Sequence, residues 1–271
     1  PLTEYKLDEL QKFDEASQLA IRGYLNTLAL VKELPPRRLT LFQQTLRGLR
    51  HWAHNRLVDN GAFGFLPGFS WALLSRWVID RDNPKTSKEA QKKLFATLHQ
   101  WDFNEAIGLT KEARSFPLRP RDKMAIVTSM APQQNSARNV TSSTLKEMKR
   151  EFQRAHELCT KEQWEALLQP KEPSQGCHAK RAVQFTAKSD TELSACRGWF
   201  KKSVLSLLLA LEQELGCSAL CYGHGKEGAT YNIYLQEAPQ KPLTELLQKF
   251  GEQFEMWADK PQSATISFVE H

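Results

Sequence analysis

A chain of 271 residues with 41% hydrophobic and 25% charged side chains can bury two cores and reads as an ordinary globular protein. No apolar run reaches the roughly 18–20 residues of a membrane helix. The five irregularly spaced cysteines argue against a disulfide framework and for a reducing, intracellular setting, nucleus or cytoplasm. A net charge of +6 biases the chain toward polyanionic partners, a bias that many proteins binding none also show. The polar opening residues lack a signal-peptide pattern, and the chain reads as part of something longer.

Residues 7–34 place Phe13, Ala16, Leu19, Ala20, Tyr24, Leu28 and Val31 at helical spacing, which predicts one or two helices. Pro35 and Pro36 end them. Leu41, Phe42, Thr45, Leu46, Leu49, Trp52 and Ala53 then mark the apolar face of another helix. Arg47, Arg50, His51 and His54 lie off that face, toward solvent or a polar cleft. Residues 59–68 carry Gly61, Gly64 and Gly68, where a backbone turns sharply or approaches something closely. From Phe69 to Ile79 the chain is apolar almost all round, as in a helix buried on several sides. A glycine-bounded helix start offers free N–H groups and a positive dipole end, hence an anion site. The same residues equally suit a tight helix–helix connection filled with core aromatics. Without a P-loop lysine, residue types alone favour that plainer reading.

Asp80 and Asp82 have the Asp-x-Asp spacing of a two-metal site. They follow a helix and precede Asn-Pro, so they read as a helix-ending loop. Residues 87–100 form an amphipathic basic helix, with Lys88, Lys92 and Lys93 outside and Ala90, Leu94 and Leu98 inside. Residues 111–123 combine Lys111, Arg114, Arg119, Arg121 and Lys123 with two prolines, a loop able to follow a phosphate backbone or a merely solvated basic surface. Residues 124–128 predict a short strand. The amides of Gln133, Gln134 and Asn135 can read base edges or satisfy buried backbone groups at a seam, the latter being favoured. Thr144 and Glu147 read as a capping box opening a helix over 145–158, whose outer face carries Lys146, Lys149, Arg150 and Arg154.

Residues 169–181 read as a linker between a helical domain, 1–168, and a second domain, 182–271. Strands at 182–187, 217–222, 229–235 and 264–269 alternate with helices at 191–215 and 242–257, the loop 223–228 joining the second strand to the third. That βαββαβ order predicts an α+β chain ending in a ferredoxin-like domain, the plan of RNA-recognition modules. Val183, Phe185, Tyr231, Ile233 and Leu235 should pack under the helices, leaving Tyr234 outward and the base-stacking signature thin. Cys217, Cys221 and His224, with Cys177 and His178, fit no standard zinc spacing, and Cys217 and Cys221 read as buried thiols. No catalytic set is visible.

Two strings carry more than their composition. Residues 46–53, Leu-Arg-Gly-Leu-Arg-His-Trp-Ala, followed by residues 63–74, Phe-Gly-Phe-Leu-Pro-Gly-Phe-Ser-Trp-Ala-Leu-Leu, resemble the middle domain of eukaryotic-type poly(A) polymerases. Residues 124–140, with Pro132-Gln-Gln-Asn-Ser136 and Asn139-Val140, are similar to a second string of that family. The resemblance covers about residues 12–145 and beyond them is topological. It implies a middle domain that closes over ATP and a C-terminal RNA-binding domain. The nucleotidyltransferase domain, with ATP and Mg bound by aspartates, would precede this chain. The implied partners are RNA and that catalytic domain, with no membrane. The family's phosphate-contacting lysine falls at Arg50, and its nearby tyrosine and asparagine fall at about Asp59 and Gly61. Its glycine pair falls at Pro67-Gly68 and the next valine at Phe69, so the packing residues are kept more faithfully than the nucleotide contacts. The expected nucleotide- or RNA-facing residues are Arg50, His54, Asn60 and Gly68, with Arg138 and Asn139 near the seam.

Overall fold

In the computed structural model, which describes residues 11–174, 177–223, 229–239 and 242–270, the chain is α+β, a helical stretch followed by a sheet-bearing one, as the sequence predicts. Its described residues divide into two compact units. The first comprises 11–59, 66–140 and 148–169; the second comprises 60–65, 141–147 and 170–270. No helix among the described residues is long and apolar enough to cross a membrane.

In the first unit, α1 (Glu15–Val31) begins at Asp14, whose carboxylate accepts from the Ser17 N–H at 3.0 Å. Residues 7–10 of the expected helix lie outside the described residues. The apolar spacing locates the helix but not its buried side. Leu19 is 61% exposed and Tyr24 50%, while Leu25 and Leu30 point inward. Two polar contacts hold the helix in that orientation: Arg76 donates to the Leu30 carbonyl at 2.8 Å, and the Asn26 side chain accepts from the Met130 N–H at 3.0 Å. Pro36 occupies the first turn of α2 (Pro36–Asn55), where a missing N–H costs nothing. Helices α3 (Gly68–Asp82), α4 (Ser87–Leu98) and α6 (Ser142–Thr160) complete the core around Trp52. The Trp52 ring lies 5.8 Å from Trp71 edge-on, 4.7 Å from Phe95 and 6.2 Å from Phe152, all four fully buried. Such pairs contribute about 0.5–1.5 kcal/mol each beyond the area they bury. Asp80 pairs with Arg76 and Arg38, and Asp82 with Arg81, so the Asp-x-Asp pair closes a helix.

Between α4 and α6 the chain forms a small parallel pair, β1 (Ile107–Gly108) with β2 (Ile126–Val127), and one helical turn, α5 (Lys111–Arg114). The sequence predicts β2 but reads residues 111–123 as loop; two residues of β1 are too few for alternation to show. A Cβ on Gly108 would stand 2.4 Å from the Ala113 Cβ and 3.1 Å from its carbonyl carbon. Gly108→Ala is therefore expected to lower stability by about 1–3 kcal/mol, read as a shift in the urea midpoint at unchanged slope. Asn135 is buried, accepts from Ile126 N at 3.2 Å and Ala137 N at 2.8 Å, and donates to the Met124 carbonyl at 2.8 Å. It satisfies backbone groups, and no side-chain atom is left to read a base.

Arg56 donates to both carboxylate oxygens of Glu151 at 2.8 Å, and to the Gln169 carbonyl at 2.8 Å. Asn55 holds the Leu168 carbonyl and Arg154 that of Ala166, tying down the end of α7 (Trp164–Leu167). Of the predicted basic outer face of α6, Arg154 is half-buried and spent on that clamp, while Lys149 stays exposed over the Phe103 ring at 5.1 Å.

The imidazoles of His99 and His156 stack with centroids 4.1 Å apart. Burial and the His156 charge hold the His99 pKa below its ordinary 6.5, against a raising contact from Gln153 and the charge of Glu157. The unfolded state then binds more protons than the folded one, so this contribution is intact above about pH 6.5 and is lost as pH falls through the lower folded pKa. The urea midpoint should drop between neutral and mildly acidic pH, and His99→Gln should flatten that dependence; equal slopes in both proteins would remove the His pair as its source.

In the second unit, β3 (Ala179–Thr186), α8 (Asp190–Leu215), β4 (Ala219–Gly223), β5 (Ala229–Leu235), α9 (Thr244–Glu255) and β6 (Thr265–Glu270) follow one another in the βαββαβ succession. The four strands are antiparallel in the order β4–β5–β3–β6. Ser189 and Glu192 form a capping box at the start of α8. Phe185 packs against Trp199, Phe200 and Phe254 from the two helices, as the alternation predicts. Tyr234 does lie on the other face, but it is only 3% exposed, 5.6 Å from Tyr222, which in turn stacks on Phe65. The outward tyrosine expected for base stacking is therefore covered.

The cap of α6 also differs from expectation. Thr141 and Thr144 bond reciprocally, each hydroxyl accepting the other's backbone N–H, which starts the helix at Ser142. Glu147 is drawn away to an ion pair with Lys171. Cys217 and Cys221 are buried, and burial pushes both thiols up from their ordinary range. His224 and the loop 224–228 lie outside the described residues. Among those described, no group of three His, Cys, Asp or Glu side chains could hold a metal ion.

Candidate functional site

Arg47, Arg50, His51 and His54 are all exposed on α2, spaced so that they share one face of the helix. The buried residues Leu49, Trp52 and Ala53 fix that face outward by anchoring the opposite one. Arg50 reaches the first turn of α3: its guanidinium carbon lies 3.8 Å from where a Cβ on Gly68 would stand. Gly68 is exposed, and the N-cap, Pro67, supplies no side-chain acceptor for the free N–H groups of that turn. A guanidinium and a helix N-terminus both carry positive potential, so their juxtaposition is unfavourable until an anion sits between them. Arg50 makes no hydrogen bond or ion pair among the described residues, which leaves its donors available.

His54, one turn after Arg50, is exposed and its Nδ1 lies 3.1 Å from an Asp59 carboxylate oxygen. That acid stands where the basic stripe ends and reduces its net charge. Asn60 belongs to the second unit, where its side chain accepts from the Ala62 N–H at 3.1 Å and caps the short 3-10 turn Gly61–Phe63. Its carbonyl-side oxygen is thereby engaged in local structure. Of the three loop glycines only Gly64, at φ 83°, needs the left-handed region.

Arg138 is exposed and makes no hydrogen bond or ion pair among the described residues, and Asn139 is half-buried. The Ser70 and Ser136 hydroxyls, 2.8 Å apart, tie this segment to the first turn of α3. The structure thus brings Arg50 and Gly68 together, sets His54 one turn after Arg50 on α2, and fastens the segment leading to Arg138 and Asn139 to the first turn of α3.

The tertiary structure adds a cavity that the sequence pattern does not show. About 240 Å³ in volume, it is lined by Leu19, Arg22, Gly23, Asn26, Phe69, Thr128, Met130, Pro132 and Gln134. Its volume is below the roughly 300–1,000 Å³ of whole small-molecule sites, so it fits a ring rather than an entire nucleotide. Phe69, in its lining, directly follows Gly68 in the first turn of α3. The Arg22 Nε is buried and has no hydrogen-bond partner among the described residues. The only sequence signal for α1 residues here is helical spacing, which cannot pair them with residues a hundred positions away.

In the basic stretch 111–123, Arg114 donates to the Leu109 carbonyl at 3.2 Å and Arg119 pairs with Asp122 at 3.1 Å. Lys111, Arg121 and Lys123 remain exposed.

Comparison with known proteins matches residues 41–170 to the poly(A) polymerase central domain. The chain is 28% identical to nuclear poly(A) polymerase 1 of Arabidopsis thaliana, over 91% of this chain and 37% of that protein. It is 29% identical to poly(A) polymerase PAPa of Candida albicans over 59% of this chain and 31% of the relative. Against the poly(A) polymerase of Dictyostelium discoideum it is 31% identical, over 59% of this chain and 21% of the relative. The chain thus spans between a fifth and two fifths of the length of these relatives. Residues 41–170, which hold Arg50, the α3 turn and the Asn135 segment, are a poly(A) polymerase central domain, and the chain is similar to poly(A) polymerases over most of its length.

Proposed function

We propose that this chain is the central and RNA-binding portion of a poly(A) polymerase, supporting template-independent AMP addition to RNA 3′ ends. Its part is to bind RNA and to cover the nucleotide, while a nucleotidyltransferase domain supplies the chemistry. The observation that carries the reading is Arg50 against the uncapped first turn of α3, beside a ring-sized cavity at Phe69. A phosphate at the helix N-terminus and a base in the cavity is the arrangement such a pair accepts. Mg, in this reading, belongs with the catalytic aspartates of that other domain. The second unit takes the ferredoxin-like plan in this reading. With Tyr222 and Tyr234 covered, its contribution to RNA does not come from bases stacking on them. The relatives named as nuclear enzymes make the nucleus the compartment we assign.

A second reading has one observation in its favour. Asp59 pairs with His54 at the end of the stripe, where the polymerases carry a tyrosine, and a carboxylate repels a triphosphate. In that case the chain is a non-catalytic RNA-binding module. Titrating labelled oligo(A) and ATP separately against this chain, at low and high salt, separates the two. RNA binding in the micromolar range that weakens with salt is expected by analogy with non-specific phosphate contacts; ATP should bind more weakly. RNA binding without any ATP contact favours the module, and RNA affinity that is absent or indifferent to salt ends both.

A further inference from the structure

Charge divides unevenly between the two units. Among the described residues the first unit holds 24 lysines and arginines against 15 acids, and the second holds 10 against 12. The positive surplus that a polyanion can use therefore lies wholly in the helical unit. Several acids there are already matched by a base, Asp80 by Arg76, Asp82 by Arg81, Glu89 by Lys93 and Glu151 by Arg56. What counts for a ligand is where the unmatched cations stand.

Three of them surround the Asn135 segment. In Arg121-Asp122-Lys123 the signs alternate along the sequence, and the fold separates them. The Asp122 side chain is 0% exposed, held by Arg119 at 3.1 Å and by the Asn135 amide at 3.3 Å, while Arg121 and Lys123 stay exposed. Arg138, three residues beyond Asn135, is exposed as well. None of the three makes a hydrogen bond or ion pair among the described residues. Between Asn135 and Arg138, the Ser136 hydroxyl lies 2.8 Å from that of Ser70 in the first turn of α3, the turn whose Gly68 Arg50 reaches. These bonds link the three cations to the position already read as an anion site.

We propose that Arg121, Lys123 and Arg138 form a track along which the phosphate backbone of a single-stranded RNA approaches the α3 turn, and that the second unit holds none of those phosphates. Resting on the RNA-binding reading above, this puts the contacts on the helical unit, where the ferredoxin-like plan alone would put them on the sheet. Cations without acidic partners give up no ion pair when a phosphate arrives. Two of the three are arginines, whose planar forks match phosphate oxygens. The tyrosines on the outer face of the sheet are covered and their unit carries a small excess of acid, so neither stacking nor charge recommends it.

Two triple variants make the same change in net charge. One combines Arg121→Glu, Lys123→Glu and Arg138→Glu; the other combines Lys201→Glu, Lys202→Glu and Lys249→Glu, all exposed residues of the second unit. The first should weaken binding of labelled oligo(A) by about tenfold or more at low salt. It should also flatten the log–log salt dependence by about two, for three contacts at roughly 0.7 each. The second should change affinity by less than about twofold. On the unaltered, isotope-labelled chain, oligo(A) should shift amides within residues 119–138 and leave those of 190–215 and 244–255 in place, which tests the track even if a variant fails to fold. Equal losses in the two triples, shifts concentrated in the second unit, or competition by oligoglutamate as effective as by unlabelled oligo(A) would overturn the track and leave RNA binding standing. No binding of oligo(A) by the parent chain would overturn both.

Discussion

Arg50→Glu is expected to weaken binding of oligo(A) or ATP, whichever occupies the α3 turn, by roughly tenfold to a hundredfold. A hydrogen bond to a charged group contributes about 1.5–3 kcal/mol, and each 1.4 kcal/mol is a factor of ten. Charge reversal also adds a repulsive carboxylate at the positive end of a helix that its ligand would otherwise reach. Arg50 is exposed and makes no hydrogen bond or ion pair among the described residues, so the fold should not change and the melting temperature should hold. The salt dependence of RNA binding should shrink by about one phosphate contact. Arg50→Lys keeps the charge and loses the planar fork, so an intermediate loss is expected. Affinities for RNA and ATP both equal to those of the parent would clear this turn of any anion-binding role.

Glu151→Ala should be the most destabilising single change in the first unit, by about 3–5 kcal/mol, because it leaves a buried guanidinium without its counter-charge. The Arg56 and Glu151 side chains are only 10% and 6% exposed, and their two bonds are bidentate at 2.8 Å. Arg154 makes matters worse. Burial and the neighbouring Arg56 already hold its pKa below the ordinary arginine value, and Glu151 is the charge that offsets them. Removing Glu151 sets two guanidiniums against each other and frees the carbonyls of Ala166 to Gln169 that they organise. Urea unfolding followed by the buried tryptophans would measure it. Replacing both partners, Arg56→Met with Glu151→Leu, should cost far less than either single loss, because no charge is then stranded. A single-variant loss below about 1 kcal/mol would place the pair among solvent-screened surface bridges.

Much of the fold was legible wherever a long periodic pattern met a strong local stop. Pro35-Pro36 separates α1 from α2, and the all-round apolar run after Gly68 is the buried α3. The alternation around Phe185 and Tyr231 placed the inward face of the sheet. Short or compensated features were less visible. Two-residue β1 has no period, and the Thr144–Glu147 box competed with a reciprocal Thr141–Thr144 pair of equal chemistry. Glu147 went to Lys171, a residue no local rule connects to it.

The α+β order, the family strings and the outward stripe of Arg47, Arg50, His51 and His54 were readable from residue order and spacing alone. Those follow from spacing along one element, which is local. Tertiary structure alone decided which side of α1 is buried, that Tyr234 is covered, and that Arg50 lies against the Gly68 turn. It also decided that Arg22 and Asn26 share a cavity with Phe69 and Gln134. The physical reason is common to all of these. A side chain's surroundings are set by elements far away in the chain, and periodicity fixes which residues share a face without saying what that face will meet.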